Sequence, residues 1–278
     1  MIDSSRNVVI ENILNKRDKV SGSENIRPLL FILGGGMRGV YGAGSVVAFR
    51  KIGLGDVFSH VVGISTGAPI GAYFLAGDEQ VLLGASIYYE ECVGKEFINF
   101  FRLGKIVNID HIVKHMRHGK KALDCEAIKK SKTEFYVEVT LNTGECALIN
   151  TKTASPDMIS SIHASMALPI LYGKKIIVNK DEVNDGSFCK YPVWDAIENL
   201  NPTDVLILPN KTLKDGKSVL EIKKEIAKFC KNVEILWPAN IEVGQLNTDK
   251  KKLKSAVEKS AEATLCAFGC PNEKITLL

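Results

Sequence analysis

No stretch of this chain approaches the ~20 consecutive apolar residues that a membrane-spanning helix needs, so no spanning segment is expected. Residues 1–27 contain no apolar run followed by small residues. They read as a polar leader with one short helix around Val8–Leu14, not as a secretory signal. Paired cysteine spacing is also missing. The seven cysteines (Cys92, Cys125, Cys146, Cys189, Cys230, Cys266 and Cys270) are odd in number and scattered, with no CxxC pair, which argues against a zinc site and a disulfide framework. Reduced thiols are therefore expected, in a protein that is cytoplasmic or peripheral at the membrane. Charge of one sign is not in excess. The formal net charge of +4 permits weak attraction to anionic surfaces and gives no reason to expect a nucleic-acid partner. Histidine is scarce, five residues in all, and none follows His163.

What is present is the composition of an ordinary globular protein, 45% hydrophobic and 24% charged. The length of 278 residues suits one large α/β domain, expected over 28–278 behind the leader. The apolar run Leu29–Leu33 reads as a strand buried on both faces. It stops at Gly34-Gly35-Gly36-Met37-Arg38-Gly39, after which Val40, Ala43, Gly44, Val47 and Ala48 recur at helical spacing. A second strand around Phe58–Val62 runs into Gly63-Ile64-Ser65-Thr66-Gly67. The helix that follows carries Gly67, Ile70, Gly71, Phe74 and Leu75 along one stripe. Residues 78–121 read as mostly helical. Strands are expected at Glu134–Thr140 and Ala147–Asn150, as a hairpin across Asn142-Thr143-Gly144, and at Ile176–Val178, Val205–Leu208 and Val233–Leu236. Helices are expected from Val193, up to Cys230, and from Asp249. Such alternation argues a three-layer α/β fold.

Gly63-x-Ser65-x-Gly67 lies between a strand and a buried helix, the context in which a nucleophilic serine stands on a sharp turn above a sheet edge. The competing interpretation is a tight Gly-Ser turn in which Ser65 only caps the helix. The earlier loop, Gly34 to Gly39, offers backbone N–H groups for the oxyanion that forms when a serine attacks an acyl carbonyl. Each such donor is worth roughly 10²–10³ in rate. The same loop spells GxGxxG, which between a strand and a helix also reads as the turn of a dinucleotide-binding oxidoreductase. That rival needs an acid at the end of the second strand, and no Asp or Glu lies between Asp56 and Asp78.

A serine nucleophile needs a base. In a Ser-acid-His triad the histidine comes late, and only His163, preceded by Asp110, Asp124 or Asp157, is available. The alternative is a carboxylate in direct contact with the serine. Asn184-Asp185-Gly186 follows an apolar strand and can project an acid at the sheet edge, although an ordinary Asp-Gly turn has the same sequence.

Four ordered segments resemble the patatin-like phospholipases, above all their bacterial cytoplasmic branch. Gly34-Gly35-Gly36-Met37-Arg38-Gly39 looks like that family's oxyanion loop, and Gly63-Ile64-Ser65-Thr66-Gly67 looks like its nucleophile elbow. Ala164-Ser165-Met166-Ala167-Leu168-Pro169 is similar to the stretch before its acid, and Asp185-Gly186 occupies the place of its Asp-Gly motif. The match runs from about Leu29 to Asn210. The resemblance implies a three-layer α/β/α patatin-like fold with a mainly parallel central sheet. It implies Ser65 as nucleophile, Asp185 as general base, and hydrolysis of lipid acyl esters, of phospholipase or lysophospholipase type, without Ca²⁺ or any other cofactor. The same dyad also serves carboxylesterases, thioesterases and acyltransferases, and a silent binding protein would keep the scaffold. Ser187 departs from the pattern, which usually has glycine or alanine there.

Two further features stand apart. Residues 95–121 combine Phe97, Phe100 and Phe101 with seven basic residues against Glu96 and Asp110. That mixture suits a lid or a transient contact with an anionic lipid surface, or else a helix with its phenylalanines inward and its lysines in water. His111, His115 and His118 fall on one helical face, but Ile112 follows His111 and the HExxH pattern is absent. No metal site is expected there. The Lys250–Lys259 run reads as a solvated helix face with Leu253 and Val257 inward.

Overall fold

The computed structural model describes residues 7–102, 105–189, 193–212, 216–239 and 242–278. Eight strands form one sheet: β1 (Pro28–Ile32), β2 (His60–Ile64), β3 (Glu134–Leu141), β4 (Cys146–Asn150), β5 (Ile176–Val178), β6 (Asp181–Asp185), β7 (Asp204–Leu208) and β8 (Asn232–Ile235). Among the described residues the helices are α1 (Val8–Arg17), α2 (Val40–Lys51), α3 (Gly67–Ala76), α4 (Asp78–Glu90), α5 (Gly94–Phe97), α6 (Ile109–Arg117), α7 (Cys125–Lys130), α8 (Met158–Met166), α9 (Trp194–Asn199), α10 (Lys217–Ile226) and α11 (Lys250–Ala267). No helix among these residues is long and apolar enough to cross a membrane.

The order of strands is β5-β6-β3-β2-β1-β7-β8, with β4 attached to β3. The five strands from β3 to β8 pair in parallel, and β4, β5 and β6 add antiparallel pairs at one end. Because side chains alternate across a strand, β1 and β7 feed two cores. Leu30, Ile32, Leu206 and Leu208 point into the larger one, under α2, α3, α4, α6, α8 and part of α11. Leu29, Phe31, Val205 and Ile207 point into the smaller one, under α9 and α10. Helices on both faces of a sheet make the three-layer α/β/α architecture.

The segment expected as a polar leader carries α1, capped by the Asn7 side chain, and its Val9 and Ile13 are buried in the larger core. Lys250–Lys259 behaves as expected: Leu253 and Val257 are fully buried, and α11 packs on α2 through hydrogen bonds from Ser260 Oγ to the Tyr41 carbonyl and from Thr264 Oγ1 to Ser45 Oγ. The 78–121 region is mostly helical, as expected. After α4 and α5 an antiparallel bridge joins Ile98 to Val107 before α6 begins.

One detail of register matters for function. β2 runs along one edge of β3 only as far as Ile64 opposite Glu138. β4 holds the other edge, from Tyr136 to Thr140. β6 pairs with Val139–Leu141, so it takes over the edge that β2 vacates, with Asp185 opposite Val139. The last residue of β6 is thereby set beside the first residue after β2. Those residues are Asp185 and Ser65.

Candidate active site

Ser65 sits between β2 and α3 with φ +53°, a left-handed conformation that non-glycine residues rarely adopt. Helix α3 starts two residues later, and Pro69 in its first turn sacrifices no intrahelical bond. The strained turn is held from two sides. The Ser65 amide donates to Ser165 Oγ (3.0 Å) on α8, and the Ser165 hydroxyl donates to the Glu138 carbonyl (2.7 Å) on β3. Gly63 and Gly67 flank the turn where the chain is tightly packed; a Cβ on Gly63 would lie 2.7 Å from Ala68 Cα.

The Ser65 hydroxyl donates to Asp185 Oδ2 at 2.6 Å. Asp185 is fully buried, and its backbone is fixed by its own amide donating to Ala167 O (3.1 Å) and by Thr140 Oγ1 donating to its carbonyl (2.7 Å). Its other oxygen, Oδ1, accepts from the Ser187 amide at 2.8 Å. Gly186, between them, is needed because a Cβ there would run into the Glu138 backbone. Burial pushes the Asp185 carboxyl up to about 6, opposed by the hydrogen bonds from Ser65 and from the amide and hydroxyl of Ser187. Glu138 lies beside it, also buried, and burial together with the Asp185 charge pushes it up to about 8. Two buried carboxyls this close oppose each other's ionisation, and the hydrogen bonds from Ser65 and Ser187 favour the charge on Asp185.

The serine at position 187, the departure from the expected Gly or Ala, thus supports the ionised form of Asp185. Ser187→Ala keeps the amide bond but removes the hydroxyl. Its Asp185 pKa rises, and the acid limb of the ester-hydrolysis pH profile moves to higher pH. A profile that stays in place, or moves to lower pH, contradicts this assignment.

The glycine loop closes the site from above. A Cβ on Gly34 would come within 3.0 Å of Ser65 Cβ, so the loop lies directly against the Ser65 turn. Gly36 has φ +58° and is backed by the Gln245 carbonyl. The six expected oxyanion-loop amides are not equivalent. Met37 N–H donates to Gln245 O (3.0 Å) and Arg38 N–H to Gly35 O (3.2 Å), whereas the amides of Gly35 and Gly36 find no acceptor among the described residues. Gly39 instead makes room for the hydroxyls of Thr66 and Tyr88, which are hydrogen-bonded to each other. Asn210, which no sequence motif singled out, braces the loop: its Nδ2 donates to Leu33 O (2.5 Å) and its Oδ1 accepts from Gly42 N–H (2.8 Å).

The histidine alternative does not meet the serine. His163 Nε2 pairs with the Tyr172 hydroxyl (2.7 Å), Tyr172 donates to Asp110, and burial pushes the imidazole down to about 4. One sequence expectation is corrected. Cys146 and Cys189 are not separate thiols but a disulfide, Cα–Cα 5.3 Å, that ties β4 to the turn after Asp185. Forty-three residues separate them, and only the pairing of β3 with β4 and β6 brings them together.

Next to Ser65 opens a cleft walled by apolar side chains such as Met37, Val46, Ile70, Val81, Ile98 and Ile112. Of the 95–121 segment, Phe97 is buried in this wall, whereas Phe100 and Phe101 are 67% and 92% exposed. Lys121 is buried, its ammonium shared between Glu90 (2.6 Å) and Glu91 (2.8 Å).

A three-layer α/β/α fold defines a class of protein, and comparison with known families agrees with it. The chain belongs to the patatin-like phospholipases, whose family model matches residues 30–197. No curated protein matches it. Among solved structures it is similar to VipD from Legionella pneumophila, at 14% identity and a TM-score of 0.47, over 88% of this chain and 67% of that one. It is also similar to the type III effector ExoU, at 14% identity and a TM-score of 0.40, over 87% of this chain and 53% of that one. A full-length ExoU in complex with SpcU from the type III secretion system of Pseudomonas aeruginosa aligns at 12% identity and a TM-score of 0.35. The chain therefore spans about half the length of ExoU.

Proposed function

We propose that the protein hydrolyses long-chain acyl esters of lipids, phospholipids or lysophospholipids, through Ser65 and Asp185. The observation that carries this reading is the 2.6 Å hydrogen bond from a strained Ser65 to a fully buried carboxylate, beneath a glycine loop with unengaged amides. Asp185 accepts the Ser65 proton as Oγ attacks the ester carbonyl. The amides of Gly35 and Gly36 hold the oxyanion. As the tetrahedral intermediate collapses, the C–O bond to the alcohol breaks and Asp185 returns the proton to the leaving oxygen. Water then gives a proton to Asp185 and attacks the acyl-enzyme; the acyl C–O bond to Ser65 breaks, Asp185 returns the proton to Oγ, and the fatty acid leaves.

The apolar cleft supports an acyl chain as the group held next to Ser65. With a series of p-nitrophenyl esters, kcat/KM rises with each methylene until the cleft is filled. Burial of about 0.8 kcal/mol per methylene sets an upper bound of roughly fourfold per step. A flat profile, or a preference for acetate, argues for a small-ester carboxylesterase instead.

Contact with a lipid surface belongs to the same reading. Phe100 and Phe101 are exposed, with Lys95, Arg102 and Lys105 nearby in sequence, which supports such a contact. Phe100→Ser/Phe101→Ser loses binding to anionic vesicles and keeps the wild-type rate on a soluble ester. Unchanged vesicle binding removes the contact from the account.

A further inference from the structure

The histidines of α6 are not used by the chemistry at Ser65, yet they are not scattered. His111 and His115, one helical turn apart, share a face, and their ring centroids lie 4.7 Å apart. Both approach the same carboxylate oxygen of a residue from another element. Glu91, at the C-terminal cap of α4, has Oε2 at 3.8 Å from His111 Nε2 and 3.1 Å from His115 Nε2. One ligand atom from each of the three residues falls within 4.8 Å of the other two. His118, which the sequence pattern grouped with them, lies past the helix end with extended backbone and is replaced in the cluster by Glu91.

We propose that Glu91, His111 and His115 form a binding site for a borderline-soft divalent metal ion, Zn²⁺ foremost, which clamps α6 to the end of α4. Two imidazoles and a carboxylate are a donor set that zinc takes readily. Bonds of about 2.1 Å in a tetrahedron require ligand atoms about 3.4 Å apart, within rotamer adjustment of the separations observed. Ca²⁺ and Mg²⁺ prefer all-oxygen sites and are disfavoured here. Lys121 holds the remaining oxygen, Oε1, at 2.8 Å and so keeps Oε2 turned to the histidines, the orienting role that outer partners play around metal ligands. The side chains are 20%, 31% and 22% exposed for His111, His115 and Glu91, enough to admit an ion from solvent. Water fills the fourth position.

The clamp has a consequence for the cleft. Ile87 and Tyr88 of α4 and Ile109 and Ile112 of α6 line it. A metal bridging these two helices from outside ties together one wall of the acyl pocket. The site itself rests only on three side chains and stands or falls independently of the reading of Ser65.

The test uses the untagged full chain, stripped with chelator and titrated with ZnCl₂ by calorimetry, with MgCl₂ and CaCl₂ as comparisons. One equivalent of Zn²⁺ binds and raises the melting temperature, and neither hard cation does so. His115→Gln weakens Zn²⁺ binding at least tenfold, and His111→Gln/His115→Gln abolishes the melting shift while its metal-free melting temperature stays that of the wild type. Because free cysteines also bind zinc, Co²⁺ is added to the wild-type protein as a second measurement. Ligand-field bands without thiolate charge transfer are expected. Absence of Zn²⁺ uptake, uptake that survives the double substitution, or a thiolate band overturns the proposal.

Discussion

Replacing Ser65 with alanine lowers ester hydrolysis by roughly 10⁴-fold or more and leaves the fold intact. The substitution deletes one oxygen, the atom proposed to form the acyl-enzyme. What remains is the glycine loop and the cleft, which retain only the residual catalysis of binding and oxyanion stabilisation. Little is lost structurally. The Ser65 amide still donates to Ser165 Oγ, and alanine meets the same left-handed backbone that serine does. Asp185 loses a donor, so its pKa rises further. Initial rates on a long-chain ester, with circular dichroism and a melting curve for both proteins, check this. Hydrolysis by Ser65→Ala at the wild-type rate removes Ser65 from the mechanism.

The second large effect couples activity to stability. Asp185→Asn also abolishes turnover, because an amide cannot take the Ser65 proton, yet it changes the pH dependence of folding in a direction fixed by linkage. The Asp185 pKa is about 6 in the folded protein and about 3.9 when unfolded. A raised carboxyl pKa contributes stability below the unfolded value, and that contribution is lost as pH rises through about 6. At pH 8 wild type therefore bears an ionisation cost of roughly 2–3 kcal/mol that the asparagine variant avoids. The melting temperature of Asp185→Asn minus that of wild type increases by several degrees from pH 4 to pH 8. A difference that is constant with pH would show that burial does not perturb Asp185. A difference that falls would reverse the sign of the argument. A gain in stability on removing the proposed general base is the trade-off expected if the carboxylate is buried for function.

Much of this site is legible in the sequence because its glycines and its acid are local. Gly34–Gly39, Gly63-x-Ser65-x-Gly67 and Asp185-Gly186 each sit at the end of a strand, and the apolar runs that mark β1 and β2 are strong. The strand that delivers Asp185 is harder to see. β6 reads Asp-Glu-Val-Asn-Asp, with Val183 its one apolar side chain, and its conformation is decided by the edge of β3. Helix α8 is masked for a related reason. Ser160, Ser161 and Ser165 face inward, where Ser161 Oγ donates to Met158 O (2.7 Å) and Ser165 Oγ to Glu138 O, so the apolar stripe that signals a helix is broken by satisfied serines.

The rest of the site depends on distance in sequence. Asn210 reaches back to Leu33 and Gly42, Ser165 to Ser65, and Cys189 to Cys146, and no local pattern carries such pairings. Cysteine counting alone favoured reduced thiols, and it failed because the relevant spacing is across the sheet. The histidine face of α6 shows the converse. Two of its three residues find a partner, but that partner is Glu91 from a neighbouring helix, visible only once α4 and α6 are packed.

The most direct test of the account is reaction of the folded protein with a fluorophosphonate, which captures activated serines, followed by mass spectrometry of the adduct. Wild type, Ser65→Ala and Asp185→Asn are compared at pH 8 after circular dichroism shows all three folded alike. The account predicts a single adduct on Ser65 in wild type, none at that position in Ser65→Ala, and labelling slowed by orders of magnitude in Asp185→Asn. An unlabelled Ser65 in folded wild type, or labelling of Ser65 at an equal rate without the Asp185 carboxylate, contradicts it.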